Sequence, residues 1–299
     1  MPRIRPTLVL VVLLSSARAW ALDDFSTTRT TGMGEASRAY AVGNVGPALN
    51  PSGMSLVKNF QVLEGTYAYS YRLRAHTLHA SMVDNTSNFG IAGGLYYNYR
   101  ISDPPGFGKG RGHEAGLALS LPLVNRATLG GTVKYFSLSG SEAPGDQTGG
   151  VTFDAGLTVT VMPKLSLAVV GTNLRDLHNS NAPQGVGYGI ALIPVPDLVI
   201  AADGWTVFTP SNTTGRKGTS VMVGGDLTIG GKVDVRLGGG YDAATLNGYG
   251  SAGLSLASDV GAIDAGIRQD IVVHAGSPRD TVLAVSLRLF IPGQQTTLQ

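Results

Sequence analysis

Apolar and polar residues alternate along most of the chain with a period of two. Between Lys232 and Asp242, the odd positions hold Val, Val, Leu, Gly and Tyr, and the even positions hold Lys, Asp, Arg, Gly, Gly and Asp. The segments 151–161, 220–229 and 283–290 repeat this order. A period of two places successive side chains on opposite faces of a strand, whereas a helix would space its apolar residues three and four apart. The pattern therefore predicts strands with one apolar and one polar face.

Breaks at Gly, Pro, Asn and Asp divide the chain into about fourteen predicted strands. The expected ranges are 60–71, 75–83, 88–101, 112–121, 127–138, 149–162, 164–172, 185–194, 197–208, 218–229, 231–242, 248–257, 260–270 and 280–290. Tight turns, such as 162–164 and 229–232, alternate with longer polar loops, such as 139–149 and 175–184. This alternation indicates an even number of strands, with both termini on the side of the short turns.

The first 21 residues have the features of a secretory signal peptide. Arg3 and Arg5 precede an apolar run from Leu8 to Leu14, and Ala19-Trp20-Ala21 resembles a cleavage site. An N-terminal anchor is the alternative, but the run is shorter than the ~20 residues with which a helix crosses a bilayer. We therefore expect cleavage after residue 21 and export of the rest of the chain.

The composition favours a membrane protein among exported all-β proteins. Charged residues make up 14% of the 299 residues, against about 25% in typical soluble domains. Strands cross hydrocarbon only as a closed barrel, because an open sheet leaves its edge groups unsatisfied. The sequence thus predicts an all-β protein: a transmembrane antiparallel β-barrel over 60–290 in a bacterial outer membrane, surrounded by its lipids, with 291–299 as a periplasmic tail. A soluble β-sandwich is the alternative, because its strands also alternate.

Aromatic residues are only 7% of the chain, so the girdles at the two membrane interfaces are expected to be thin. Such girdles lie on the outer face of a barrel. The candidates for them are Tyr67, Tyr69, Tyr71, Tyr96, Tyr97 and Tyr99.

Residues 22–59 lack the strand pattern and carry two motifs. Residues 32–39 read G-M-G-x-A-x-x-A, and Asn50-Pro51-Ser52-Gly53 reads N-P-S-G. Together they resemble the N-terminal signature of the FadL-type hydrophobic-compound transporters and the related PorV/PorQ-like outer-membrane proteins. The resemblance implies a fourteen-stranded barrel in which 22–59 fold into the lumen as a hatch. A plain turn into the first strand is the alternative.

The resemblance also implies a function and a set of ligand contacts. Small hydrophobic molecules would pass without a cofactor or an energy source, by displacing the hatch and leaving laterally through a gap in the wall. Asn50 and Pro51 would form the core of the hatch. The residues expected to contact an apolar ligand are Met33, Tyr40, Leu49 and Met54.

The PorV-like proteins offer a second function. In this alternative the barrel transports nothing and docks protein partners of a secretion, motility or envelope machine. An apolar pocket in the lumen would favour passage, whereas a filled lumen with an apolar patch on the loops would favour docking.

Seven charged residues fall on the predicted polar face and are expected to line the lumen. Side chains of opposite charge on neighbouring strands either line a conduit or pair with one another and fill a narrow lumen. The seven are Asp154, Asp226, Asp234, Arg236, Asp264, Arg268 and Arg288.

Other chemistry has little support in the sequence. The chain contains no Cys, which excludes disulfides and a lipidated N-terminal Cys. His76 and His79 lie three residues apart on a predicted strand and face opposite sides, so they cannot bind one metal. A G-x-S-x-G elbow is missing, and the scattered Lys and Arg with a net charge of +2 do not form a nucleic-acid surface. We therefore expect no catalytic site, metal, cofactor or nucleic-acid partner.

Overall fold

The computed structural model describes residues 27–106, 108–141, 149–179, 181–210, 215–273 and 279–292. The expected signal peptide and most of the expected tail lie outside these residues. The described part begins with two short helices, α1 (Thr28–Gly32) and α2 (Gly46–Leu49), and with 3₁₀ turns at Arg38–Tyr40, Gly43–Val45 and Pro51–Leu56. Fourteen strands follow: β1 (Phe60–Ser70), β2 (Ala75–Asp84), β3 (Ala92–Ser102), β4 (Gly110–Val124), β5 (Ala127–Gly140), β6 (Gly149–Met162), β7 (Leu165–Thr172), β8 (Gly185–Val195), β9 (Leu198–Val207), β10 (Gly218–Ile229), β11 (Val233–Asp242), β12 (Asn247–Ala257), β13 (Gly261–Val272) and β14 (Thr281–Pro292).

The strands form one closed antiparallel barrel. Each strand pairs with its neighbours in the chain, and β1 pairs with β14 from Phe60↔Pro292 to Ser70↔Val282. This closure confirms the predicted barrel and its fourteen strands, and it rules out a sandwich. The largest difference in a strand start is at β3, which begins at Ala92 because the preceding Gly90 turns the chain with a φ of 72°.

The lateral gap that the resemblance implied is absent from the described part of the wall. β3 pairs continuously with β2 from Gly93 to Ile101 and with β4 from Ala92 to Ser102. None of these residues has a positive φ, so the strand has no kink that would separate it from its neighbours. The wall is therefore closed in this structure, and lateral exit after displacement of the hatch stays a prediction.

Connections of different length mark the two ends of the barrel. At one end, which we call the turn end, strands are joined by turns such as 125–126, 163–164 and 196–197. At the other, the loop end, the connections include 173–184 and 208–217. β1 starts and β14 finishes at the turn end, as the even strand number requires.

The outer face of the barrel is apolar. In β14, Leu283, Val285, Leu287 and Leu289 point outward and are 38–54% exposed. A barrel wall that presents such a belt is stable when hydrocarbon surrounds it. No helix in the described ranges is long and apolar enough to cross a membrane.

One of the six tyrosines assigned to the girdles faces inward. Tyr96 is 2% exposed, and its hydroxyl donates a hydrogen bond to Glu114 Oε1. Tyr96 and Tyr97 are consecutive residues of β3, so they must lie on opposite faces, and Tyr97 takes the outer one. Gly116 on β4 makes room inside, because a methyl group there would clash with the Tyr96 ring.

Residues 27–56 occupy the lumen as a hatch, and the exposed residues 57–59 lead from it into β1, which rules out a plain turn into the first strand. Inward-facing glycines thin the wall where the hatch touches it. A methyl group at Gly130 would clash with the backbone of Pro51 and Ser52, and one at Gly224 would clash with Met33 O. The absence of side chains at such positions lets a narrow barrel hold a folded segment. This contact explains part of the high glycine content.

Candidate functional site

The N-P-S-G motif fixes the hatch to β6. Asn50 is fully buried, and its Oδ1 accepts hydrogen bonds from Ser52 N at 3.3 Å and Ser52 Oγ at 2.7 Å, which caps the 3₁₀ turn that begins at Pro51. Its Nδ2 donates to Arg38 O at 2.7 Å and to Thr158 Oγ1 at 3.1 Å. The motif therefore organises the hatch, and its polar groups point to protein partners.

A second anchor comes from β9. Asp203 Oδ2 accepts hydrogen bonds from Ser37 N at 2.8 Å and from Arg38 N at 2.7 Å, and it lies 3.4 Å from Arg38 Nη1. A buried carboxylate that accepts several N–H bonds holds a turn firmly. Further wall side chains donate to hatch carbonyls: Thr132 to Pro47, Asn85 to Met54, Tyr249 to Gly34, Ser251 to Gly32 and Ser120 to Ser52.

Beside α1, an arginine in the wall is surrounded by three carboxylates. Arg236 is 1% exposed and contacts Asp264 Oδ1 at 3.0 Å, Asp234 Oδ2 at 2.8 Å and Asp226 Oδ2 at 3.2 Å. These residues come from β10, β11 and β13. The guanidinium of one strand thereby joins its neighbours across the inside of the wall.

Two more arginines balance the charge of this cluster. Arg29 of α1 contacts Asp226 Oδ2 at 3.1 Å, and Arg288 of β14 contacts Asp264 through Nε at 2.8 Å and Nη2 at 2.9 Å. The cluster thus contains three cations and three anions and ties the hatch helix to the wall. Its side chains fill this part of the lumen, in agreement with the pairing alternative.

A separate polar group lies inside β2–β6. Lys134 Nζ contacts Asp154 Oδ2 at 3.0 Å, and both side chains are fully buried. The His79 ring nitrogens lie 2.6 Å from Asn98 Oδ1 and 2.9 Å from Ser81 Oγ. No group of three or more His, Cys, Asp or Glu among the described residues is arranged to hold a metal ion.

A pocket of ≈ 80 Å³ opens on the loop side of the hatch, and we call it the loop-side pocket. Two of its cations lie over aromatic rings, Arg38 at 5.9 Å from the Trp205 centroid and Arg268 at 3.7 Å from that of Tyr249. Arg268 Nη1 is 3.6 Å from Glu35 Oε1. Burial raises the pKa of the Glu35 carboxyl, and the two arginines oppose this rise. The remaining lining residues are Ala48, Leu49, Thr172, Ser220, Met222 and Asp242.

A larger pocket of ≈ 310 Å³, the turn-side pocket, lies on the opposite face of the hatch. Phe60 and Phe290 from the first and last strands form part of its wall, and Glu64 and Arg288 add charged groups. The other lining residues are Thr27, Arg29, Val42, Gly43, Asn44, Val45, Val57 and Val62. Most of this surface is hydrocarbon, which suits an apolar molecule.

The ligand contacts expected from the sequence lie in different places. Leu49 lines the loop-side pocket. Met33 and Met54 are fully buried between hatch and wall and line neither pocket, and Pro51 is likewise enclosed. Tyr40 is half-buried, with Arg29 at 5.3 Å from its ring.

Sequence reasoning missed the aromatic residues of the loop-side pocket. The period of two could have placed Trp205 inside, because it shares a face of β9 with Asp203. All seven charged residues assigned to the polar face point into the barrel: Asp154 lies by Lys134, Arg268 borders the loop-side pocket, and the other five belong to the cluster beside α1.

Comparison with known proteins yields similarity in structure only. No protein-family model and no curated protein matches the sequence. The CymD monoaromatic hydrocarbon channel superposes with a TM-score of 0.69 at 15% identity, covering 92% of this chain and 99% of that one. A FadL homologue of Pseudomonas aeruginosa superposes with a TM-score of 0.66 at 14% identity, covering 89% of this chain and 98% of that one. The toluene transporter TbuX of Ralstonia pickettii superposes with a TM-score of 0.63 at 12% identity, covering 91% of this chain and 99% of that one. The chain therefore has the fold of these FadL-type channels.

Proposed function

We propose that the protein lets small hydrophobic molecules pass through a bacterial outer membrane without a cofactor or an energy source. The observation that carries this proposal is the pair of pockets on opposite faces of the hatch. The Val and Phe side chains of the turn-side pocket favour an apolar ligand. The hydrocarbon channels with the same fold favour passage over the docking alternative.

Residues 42–49 separate the two pockets. Their first four residues line the turn-side pocket, and Ala48 and Leu49 line the loop-side pocket. Neutral hydrogen bonds hold this segment to the wall, including Asn44 Nδ2 to Ser81 Oγ at 2.7 Å. Such a bond contributes about 1 kcal/mol. A displacement of the segment would thus break few strong contacts and join the pockets into one path through the lumen.

The same displacement would widen the loop-side pocket. Its ≈ 80 Å³ is less than the ~150 Å³ cavity that holds benzene in a protein core. Leu49 belongs to both the moving segment and the pocket lining. Entry of a ligand and movement of the hatch are therefore one step in this proposal.

The test uses a reversible lock, which the Cys-free chain allows. In an Asn44→Cys, Ser81→Cys variant, a disulfide would tie the moving segment to β2. A Thr206→Cys, Thr219→Cys variant is the matched control, because it joins two strands already paired at these positions. The readout is uptake of radiolabelled toluene by cells that lack the native gene and carry each variant at equal outer-membrane levels.

We expect uptake through the oxidised lock to fall to the level of cells without the gene and to return on reduction. The control should remain at the wild-type level in both states. Uptake that does not depend on the gene, or that continues through the oxidised lock, would contradict the proposal.

A further inference from the structure

The barrel wall is only one backbone thick at two places. In β3, Gly93 faces outward with open space around it, and Gly94 faces inward, where a methyl group would lie 2.7 Å from Pro47 Cγ and 2.8 Å from Met54 Sδ. In β5, Gly131 faces outward near nothing but Asp154 O at 3.5 Å, and Gly130 faces the hatch. At both places, no side chain lies between the hatch and the outside of the barrel.

An apolar groove of ≈ 660 Å³ lies on the outer surface over these glycines. It lies outside the barrel, because the large side chains that border it are exposed and the inner side of the same strands is packed against the hatch. Those large side chains are Leu95, Leu117, Leu119, Val133 and Phe153, with Met82 at one edge. In a membrane no water is available to fill such a hollow, so hydrocarbon must occupy it.

The rim of the barrel near the groove carries two cations. Arg126 is exposed in the turn between β4 and β5, five residues before Gly131. At ~3.3 Å per residue this places it ~16 Å along the strand, close to the ~15 Å depth of one hydrocarbon leaflet. Lys58 lies over Gly90 beside Pro122, at the end of β4. The Arg126 position matches the level of lipid phosphates, and Lys58 lies at the same end of the barrel.

One carboxylate lies at the edge of the groove. Asp84 accepts hydrogen bonds from Gln61 Nε2 at 2.8 Å, from Thr86 N at 2.9 Å and from Thr86 Oγ1 at 2.7 Å. These donors hold its oxygens and stabilise the ionised carboxylate. Arg126 and Lys58 together outweigh this one negative charge, so the rim favours an anionic headgroup.

We propose that the groove is a binding site for one phospholipid of the leaflet at the turn end. One acyl chain lies over Gly93 and Gly131, against the backbone that covers the hatch, and the phosphate binds Arg126 and Lys58. The site is independent of the passage function, since it lies on the opposite side of the wall from both pockets.

The experiment counts phospholipids retained by the full chain after purification in mild detergent, by native mass spectrometry. A Gly93→Leu, Gly131→Leu variant fills the groove with two leucine side chains. Neither position has a neighbouring atom with which the added Cβ would clash. Gly65→Leu is the matched control, because Gly65 also faces outward into open space, on β1 and away from the groove. Heat-dependent gel migration verifies that each variant is folded.

We expect the wild-type protein and the control to retain one phospholipid, and the filled variant to retain it about tenfold less often, because its acyl chain loses several buried methylenes. An Arg126→Ala, Lys58→Ala variant, which leaves the groove intact, should retain less anionic phospholipid. Equal retention by the filled variant and the control would overturn the proposal. The proposal would also be overturned if the wild-type protein and the control were dimers and the filled variant were a monomer. A second copy of the chain would then occupy the groove.

Discussion

The two sides of the lumen hold the hatch in different ways. On the side of β10–β14, α1 lies beside buried ion pairs centred on Arg236. On the side of β3–β6, the turn Pro51–Leu56 is held by hydroxyl and amide hydrogen bonds and by close contact with glycines. Breaking a buried ion pair leaves an unpaired charge, whereas breaking a neutral bond leaves a smaller penalty. We infer that the first side is the fixed base of the hatch and the second side is the one that can release it.

The largest effect should follow from removing the central cation of the fixed side. Arg236→Met leaves three carboxylates facing one another, with only Arg29 and Arg288 to balance their charge. We expect the free energy of unfolding to fall by about 3–5 kcal/mol. Denaturant unfolding in detergent micelles, followed by circular dichroism, measures this change. Arg111→Met is the control, since Arg111 is exposed on the outer face of β4 and its loss should cost within ~0.5 kcal/mol. Equal stabilities of the two variants would show that the cluster does not secure this side.

The sequence predicted this cluster in part. The period of two places Arg236, Asp264 and Arg288 on one face, because alternation is a local property of a strand. Their pairing depends on which residues of β11, β13 and β14 lie at the same height in the barrel. The alternation within one strand does not determine how that strand is aligned with its neighbours. The pattern therefore gave the faces and the approximate strand bounds, and left the contacts open.

The hatch was predictable as a segment, but its anchors were not. The N-P-S-G motif identified Asn50 as a hatch residue. No motif marked Asp203, although its carboxylate accepts a hydrogen bond from Ser37 N across a separation of 166 residues. Contacts between a non-repeating segment and distant strands leave no periodic trace in the chain. The position of Leu49 at the loop-side pocket and the burial of Met33 likewise depend on how the hatch lies in the lumen.

A methyl group added on the releasable side should have an intermediate effect. In Gly156→Ala, the new methyl group would clash with Asn50 Oδ1 and displace the capped turn, so we expect a loss of about 1–3 kcal/mol in unfolding free energy. Gly131→Ala on the neighbouring strand faces outward and should change stability by no more than ~0.5 kcal/mol. The same unfolding measurement compares the two. A harmless Gly156→Ala would mean that the hatch is not closely packed against β6.

The smallest effect tests a single neutral bond. Thr132 Oγ1 donates to Pro47 O at 2.9 Å, and Thr132→Val removes this bond while keeping the shape of the side chain. We expect a loss of about 1 kcal/mol. Thr128 offers a close control on the same face of β5: it is also buried, and its hydroxyl has no hydrogen-bond partner among the described residues.

Thr128→Val should therefore leave stability unchanged or raise it slightly, since it replaces an unsatisfied buried hydroxyl with a methyl group. Toluene uptake sharpens the comparison, because Pro47 lies in the segment between the two pockets. If this side of the lumen releases the hatch, Thr132→Val should increase uptake and Thr128→Val should not. An increase with Arg236→Met and none with Thr132→Val would reverse the assignment of the fixed and releasable sides.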